Sequence, residues 1–383
     1  MIKNITEDLV YVGVYDKDIK IFESQYPLEN GVSYNSYIIF DEKICLFDTV
    51  DVRVSDEYFK NLKEALNNRK PDYIVVSHME PDHSANLKVV LEMFPDMKII
   101  ANKRTFPMIE NFTQLDITDR KVEVDESKEI ELGKHTLKFV LAPMVHWPEV
   151  MMTYDVYDKT LFSADAFGRF GNMNEEDDEN FDEARRYYCN IVGKYGLQVM
   201  TVLKKASTLD IKRICPLHSS ILENKIGAFI EKYSLWAQYI PEEKDKVTVC
   251  YASIHGNTKS AAETIVKDEL KDKCELFDLT TCDLSSAVAA TFKNGKLLLM
   301  CSTYDAGIFT AMKNFLSRLN AKGVCNREVG IIENGSWAPA AGKLIKAEIE
   351  QMKNMNIIWD IVTIKSTVNK ETEKQIRELC NKF

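Results

Sequence analysis

Short apolar runs broken by polar turns fill the first two thirds of the chain. Runs on either side of Asp41-Glu42-Lys43, between Tyr34 and Val50, predict a hairpin, and helical spacing follows from about Asp56 to Asn68. A strand at Asp72–Ser77, helices near Asn86–Phe94 and Lys103–Asn111 and a strand at Lys98–Ala101 come next. Further strands run through Val122, Ile130, Leu137–Leu141, Glu149–Asp155 and Thr160–Ser163. Phe181–Ser207 reads as mostly helical, Lys212–Cys215 as a core strand and Ile221–Tyr239 as a closing helix.

Proline and a run of charges at Tyr239–Lys246 interrupt this pattern, which places a domain boundary there and divides the chain into 1–245 and 246–383. Beyond it the pattern is strict alternation. Strands Val247–Tyr251, Cys274–Leu279, Lys296–Ser302, Glu328–Glu333 and Ile357–Ile364 are each followed by a helix: Lys259–Leu270, Ser285–Phe292, Phe309–Leu319, Ala338–Met352 and Lys370–Cys380. Five such units imply an open, doubly wound parallel sheet that binds ligands at the carboxyl ends of its strands.

A chain of 383 residues has room for two cores, and its net charge of −10 argues against a nucleic-acid partner. The N-terminus lacks the apolar core of a signal peptide and no apolar run is long enough to span a bilayer, so the expected location is cytoplasmic, without a membrane partner. Nine cysteines, none in a C-x-x-C pair, read as reduced core thiols and offer no cysteine-ligated iron centre.

The densest chemistry is Ser77-His78-Met79-Glu80-Pro81-Asp82-His83-Ser84, with two imidazoles and two carboxylates directly after an apolar strand. A solvated loop is the bland alternative, but four costly polar groups aimed by a strand and a proline turn favour a metal site. His146, Asp165 and His218 each follow a further predicted strand, and four of the six histidines fall in these places. Seven candidate ligands exceed what one ion needs, so two metals bridged by Asp165 is the economical arrangement. Three carboxylates and one hydroxide would neutralise two divalent ions, and imidazole with carboxylate suits iron, manganese or zinc.

A second candidate site lies in the alternating half. Ser253-Ile254-His255-Gly256-Asn257-Thr258 joins the first strand to its helix and can present hydrogen bonds to a phosphate. Ser302-Thr303-Tyr304-Asp305-Ala306-Gly307 and Asn334-Gly335-Ser336-Trp337-Ala338 follow the third and fourth strands on the same edge, where Tyr304 and Trp337 can flank a flat ring. Without a G-x-G-x-x-G fingerprint, FMN fits better than a dinucleotide. Taken singly, either aromatic is equally well a core or surface residue.

Over nearly its whole length the chain resembles the flavodiiron proteins, a metallo-β-lactamase-like αββα sandwich fused to a flavodoxin-like domain. His78, Glu80, Asp82 and His83 meet that family's H-x-E-x-D-H pattern, with sixty-two residues before His146 and eighteen more before Asp165. Glu80 stands where zinc hydrolases of the same superfamily carry histidine. Fifty-two residues separate Asp165 from His218, fewer than is usual, with the loss expected around Gly171–Asn180, and Ser219 replaces a common glycine.

The resemblance implies reduction of O2 to water, NO to N2O, or both, at a non-haem diiron site fed by FMN. His78, Glu80 and His146 would hold one iron, Asp82, His83 and His218 the other, with Asp165 bridging. It also implies a head-to-tail homodimer, or a dimer of such dimers, and an external electron donor such as rubredoxin. Alternatives are a thioester-type metallo-hydrolase with a regulatory flavodoxin-like domain, an F420H2 oxidase, and a slowly turning electron-transfer or gas-sensing protein.

Overall fold

The computed structural model describes residues 2–173 and 181–383, so most of the expected Gly171–Asn180 shortening lies outside the described residues. The chain forms two compact units, residues 1–188 with 195–234, and residues 189–194 with 235–383.

The first unit is built on two sheets. One has seven strands in the order Lys3–Asn4, Leu9–Tyr11, Tyr37–Ile39, Cys45–Phe47, Tyr73–Val75, Lys98–Ala101 and Lys121–Glu123. The other has five, Glu129–Glu131, Thr136–Leu141, Met151–Asp155, Thr160–Phe162 and Arg213–Cys215. Alternation of side chains along each strand decides which residues meet between them. Tyr37, Ile39, Cys45, Phe47, Val75 and Ile100 from one sheet share a buried cluster with Leu137, Phe139, Met151, Phe162 and Cys215 from the other. Phe47 stacks on Phe162 across the gap, with ring centroids 3.9 Å apart. One residue out of phase, Ile38, Leu46, Ile74 and Ile99 are buried too, so the larger sheet is covered on both faces. The predicted hairpin is present as Tyr37–Ile39 against Cys45–Phe47. The turn around Pro81 is a single helical turn, Pro81–Ser84, with proline at its start, where a missing N–H costs nothing. The helix expected from Ile221 starts at Ile226, because Leu222 is spent pairing with Ile214.

The second unit is built on parallel strands in the order Cys274–Asp278, Glu243–Ala252, Asn294–Tyr304, Arg327–Asn334, Met355–Ile357, the flavodoxin-like 2-1-3-4-5 arrangement, with the short strand Gly307–Ile308 added antiparallel to Asn294–Tyr304. The fifth predicted strand is broken in two. Met355–Ile357 and Val362–Ile364 both pair with Arg327–Asn334, and the second segment lies beside the loop that follows Asn334. Apolar residues of the strands pack with Ala262, Val266, Ile376 and Leu379 from helices. Arg327 is buried in this unit, and its guanidinium donates to the carbonyls of Thr291 (2.8 Å), Phe292 (2.7 Å), Tyr239 (2.9 Å) and Cys325 (2.9 Å). Burial lowers its pKa to about 10, which still leaves it charged.

Candidate functional site

The seven candidate ligands of the first unit lie just past strand ends. His78 follows Tyr73–Val75, His146 follows Thr136–Leu141, Asp165 follows Thr160–Phe162 and His218 follows Arg213–Cys215. The helical turn Pro81–Ser84 carries Asp82 and His83. Backbone clamps fix the motif: Asp48, in the left-handed conformation at φ 51°, accepts the Ser77 N–H at 2.7 Å, and Thr49 donates to the His83 carbonyl at 2.7 Å.

The side chains gather into two groups that share Asp165. In the first, His146 Nε2 lies 3.0 Å from Glu80 Oε2 and 3.0 Å from Asp165 Oδ2, while His78 Nε2 is 3.2 Å from Glu80 Oε2. In the second, His83 Nε2 and His218 Nε2 lie 3.3 and 3.2 Å from Asp82 Oδ2, and His83 is 3.2 Å from the other Asp165 oxygen, Oδ1. Each group offers ligand atoms all within 4.8 Å of one another, close enough to share an ion. His78, His83, Asp165 and His218 are fully buried, and Glu80 is the more open member, with 18% of its side chain exposed.

Two observations test whether metal ions fit here. Asp82 Oδ1 is buried without a hydrogen-bond partner, and Asp82 Oδ2 and Asp165 Oδ1 meet only imidazole nitrogens at 3.2–3.3 Å, a costly state for carboxylates unless a cation supplies the missing contact. Outer hydrogen bonds, meanwhile, leave imidazole lone pairs free to point inward: His78 Nδ1 lies 2.8 Å from Glu149 Oε1, and His218 Nδ1 lies 2.9 Å from the Ser33 carbonyl. His83 Nε2 and His218 Nε2 stand 3.1 Å apart, as two ligands of one ion can. The donor set fits divalent metals, with no thiolate among them.

With protons as the only cations, the carboxylates hold His78, His146 and His218 toward the charged form. Burial opposes the charge on His78, but Asp165, Glu149 and Glu80 outweigh it and the pKa stands well above the usual range. His146 rises to about 9 against the same burial, through Asp165 and Glu80. Burial raises Glu80, yet His146 and His78 bring it down to about 2.

Residues that the sequence reading left out enclose the second group. Phe22 and Tyr34 meet His218 edge-on at 5.4 and 5.7 Å, and Tyr187 lies 5.6 Å from it. The buried Tyr187 hydroxyl has no hydrogen-bond partner; burial and then the charges of Asp165 and Asp82 raise its pKa well above the ordinary value. Trp147 stands edge-on to His78 at 5.2 Å on the other side. His135 lies apart from the two groups, 2.8 Å from Asp155.

In the second unit the three predicted loops line one cavity of about 450 Å³, together with Ile254 and Ser366. Ser253, His255, Asn257, Thr258, Ser302, Thr303, Tyr304, Asp305, Ala306, Asn334, Gly335, Ser336, Trp337 and Ala338 all border it, whereas Gly256 and Gly307 shape the loops from behind. Gly256, at φ 92°, makes the turn into the helix that starts at Asn257. A Cβ at Gly335 would sit 2.8 Å from Pro339 Cα, so only glycine lets this loop close. Trp337 is 91% exposed at the mouth, and Tyr304 is 48% exposed. Hydroxyl groups of Thr258 and Ser302 meet at 3.0 Å on the cavity floor. Hydroxyls beside a helix start, with two exposed aromatics above, fit a phosphate joined to a flat ring.

Comparison with known proteins bears on the fold and the family. The family model described as ODP family beta lactamase matches residues 32–219, which carry all seven candidate metal ligands. A nitric oxide reductase of Moorella thermoacetica is 28% identical over 362 residues, covering 91% of this chain and 90% of its own. Among solved structures, rubredoxin oxygen:oxidoreductase from Desulfovibrio gigas aligns with a TM-score of 0.92 at 22% identity over 100% of this chain and 97% of its own. A variant of the flavo di-iron protein from Thermotoga maritima gives a TM-score of 0.87 at 25% identity over 100% and 99%. With both folds, the paired imidazole–carboxylate groups and full-length likeness in hand, the chain is similar over its whole length to flavodiiron proteins.

Proposed function

We propose that this protein is an oxidoreductase that reduces O2 to water, NO to N2O, or both, at a diiron site supplied with electrons through FMN. The observation that carries the proposal is Asp165, whose two buried oxygens each face a separate imidazole-bearing group, Oδ2 3.0 Å from His146 Nε2 and Oδ1 3.2 Å from His83 Nε2. In this reading His78, Glu80 and His146 hold one iron, Asp82, His83 and His218 the other, and Asp165 joins them. Residues 1–245 carry this site and residues 246–383 the flavin.

Iron held by these residues would supply redox chemistry toward a diatomic gas, and FMN in the second unit would supply one-electron transfer. The protein provides the surroundings. Phe22, Tyr34 and the Tyr187 ring exclude water around His218, and the Tyr187 hydroxyl, kept protonated by burial and then by the nearby carboxylates, would donate a hydrogen bond to the gas being reduced. In the second unit the Ser253–Thr258 turn receives the phosphate while Tyr304 and Trp337 flank the ring.

The names of the Moorella and Desulfovibrio relatives support NO and O2 as substrates and a rubredoxin-like protein as donor. A head-to-tail homodimer, or a dimer of such dimers, brings the flavin of one chain to the iron of another. Nine cysteines outside any disulfide, seven of them buried, support a reducing compartment, the cytoplasm. Among the described residues no helix is long and apolar enough to cross a membrane.

The test is anaerobic kinetics with each gas and reduced rubredoxin, on protein whose iron and FMN have been quantified. Gas consumption that disappears in His146→Ala while FMN stays bound is the expected result. A colourless, zinc-loaded protein that cleaves thioesters and leaves both gases untouched would overturn the proposal.

A further inference from the structure

Glu149 is fully buried on the loop between the strands Thr136–Leu141 and Met151–Asp155, directly behind His78. Its Oε1 lies 2.8 Å from His78 Nδ1 and accepts the Met79 N–H at 2.9 Å, while Oε2 has no hydrogen-bond partner. The loop is pinned on both sides. Asn102 donates to the Glu149 carbonyl at 2.5 Å, and the Met151 N–H donates to the Ser77 carbonyl at 3.1 Å. A carboxylate held this firmly fixes the His78 ring with its Nε2 lone pair toward Glu80 and Asp165, and it strengthens that nitrogen as a donor.

The second group has no such support. His218 Nδ1 is backed by the Ser33 carbonyl, which is neutral, and His83 Nδ1 is buried with no hydrogen-bond partner at all. Facing ligands are otherwise matched, since each group has two imidazoles, one carboxylate of its own and one oxygen of Asp165. In what backs these imidazoles, the groups therefore differ by one buried negative charge and one fixed ring, both supplied by Glu149.

We propose that Glu149 is a positioning residue that makes the two metal positions unequal: the ion held by His78, Glu80 and His146 binds more tightly than the ion held by Asp82, His83 and His218, and is loaded first. This rests on the two-metal reading above. Removing an outer-layer partner of this kind typically weakens metal binding about 10- to 100-fold, which sets the expected separation between the two steps.

The experiment is an anaerobic titration of metal-free, FMN-loaded protein with cobalt(II), followed by visible absorption and calorimetry. Wild type is expected to bind two ions in two steps separated by about 10- to 100-fold. His83→Ala should lose the weaker step and keep the tighter one. Glu149→Gln keeps an acceptor oxygen for His78 and Met79 but removes the charge, so the tighter step weakens until the two merge, with FMN affinity and thermal midpoint unchanged. Two steps of equal affinity in wild type, loss of the tighter step in His83→Ala, or a Glu149→Gln titration like wild type would each overturn the inference. If Glu149→Gln fails to fold, the wild-type and His83→Ala titrations still decide the order of loading. Failure of wild type to bind a pair of ions would instead sink the two-metal reading itself.

Discussion

Tyr187→Phe removes one oxygen atom, and the site fixes what that oxygen does. The hydroxyl is fully buried and has no hydrogen-bond partner, so in the protein without substrate it is a stability cost of about 1–3 kcal/mol. Deleting it leaves the ring and its contacts with Phe170 and His218 in place, 5.2 and 5.6 Å away by ring centroid. Denaturant unfolding should therefore show a midpoint equal to wild type or higher. Catalysis should move the other way. A hydrogen bond from this hydroxyl to a reduced, negatively charged gas is worth about 1.5–3 kcal/mol, and its loss slows turnover roughly 10- to 150-fold. Gas consumption with reduced rubredoxin measures the loss, and stopped-flow reduction of the flavin, which occurs in the other unit, should stay at the wild-type rate. A variant that is destabilised by more than about 1 kcal/mol while turning over normally would show that the hydroxyl has a structural partner, and the reasoning would fail.

Other expectations follow from the same accounting of buried groups. Arg327→Met strips at least four carbonyls of their donor in the second unit and should destabilise it by about 2–4 kcal/mol, read from denaturant unfolding followed by flavin fluorescence. Trp337→Ala, at a residue 91% exposed, should leave the unfolding midpoint of the FMN-free protein unchanged but weaken FMN binding roughly tenfold or more, measured by fluorescence quenching. Burial opposes charge on His135, but Asp155 at 2.8 Å and Asp8 outweigh it, so its pKa is raised in the folded protein. That contribution is complete below the unfolded value of about 6.5 and is lost as pH rises through the folded value. The stability gap between wild type and His135→Gln should narrow as pH is raised above about 6.5, and a gap that widens would refute the assignment.

The second unit was the more legible half because its strands are mostly apolar runs, each with a helical pattern after it. Val247–Tyr251 and Lys296–Ser302 lie within the observed strands Glu243–Ala252 and Asn294–Tyr304. Its one misread strand, Ile357–Ile364, is a case where composition and geometry part. Residues 358–361 leave the sheet, so that Val362–Ile364 can run beside the end of Arg327–Asn334, where Gly335 N–H bonds the Ile364 carbonyl at 3.0 Å. No periodicity of the run itself encodes that break. The candidate ligands were legible for a different reason: each lies within eight residues of the end of an apolar strand, and histidine and carboxylate are conspicuous there.

What the sequence left blank is the stretch before Tyr34, and the structure gives it work at the site. Its strands Val14–Asp16, Ile21–Phe22, Tyr26–Pro27 and Val32–Tyr34 are two or three residues long, too short for a period-two pattern to stand out from a loop. They nonetheless decide how His218 is held. Ser33 supplies the carbonyl opposite its Nδ1, the Ser33 hydroxyl accepts the Ser219 N–H at 2.8 Å, and Asn35 donates to the carbonyls of Pro216 and Ser219, each at 2.8 Å. Ser219 sits at φ 67°, the left-handed conformation that glycine adopts freely, and this net of hydrogen bonds holds a serine there. The replacement of a common glycine beside His218 is thus answered within the same turn. A ligand that spacing alone placed least directly is fixed by contacts with residues more than 180 positions away in the chain.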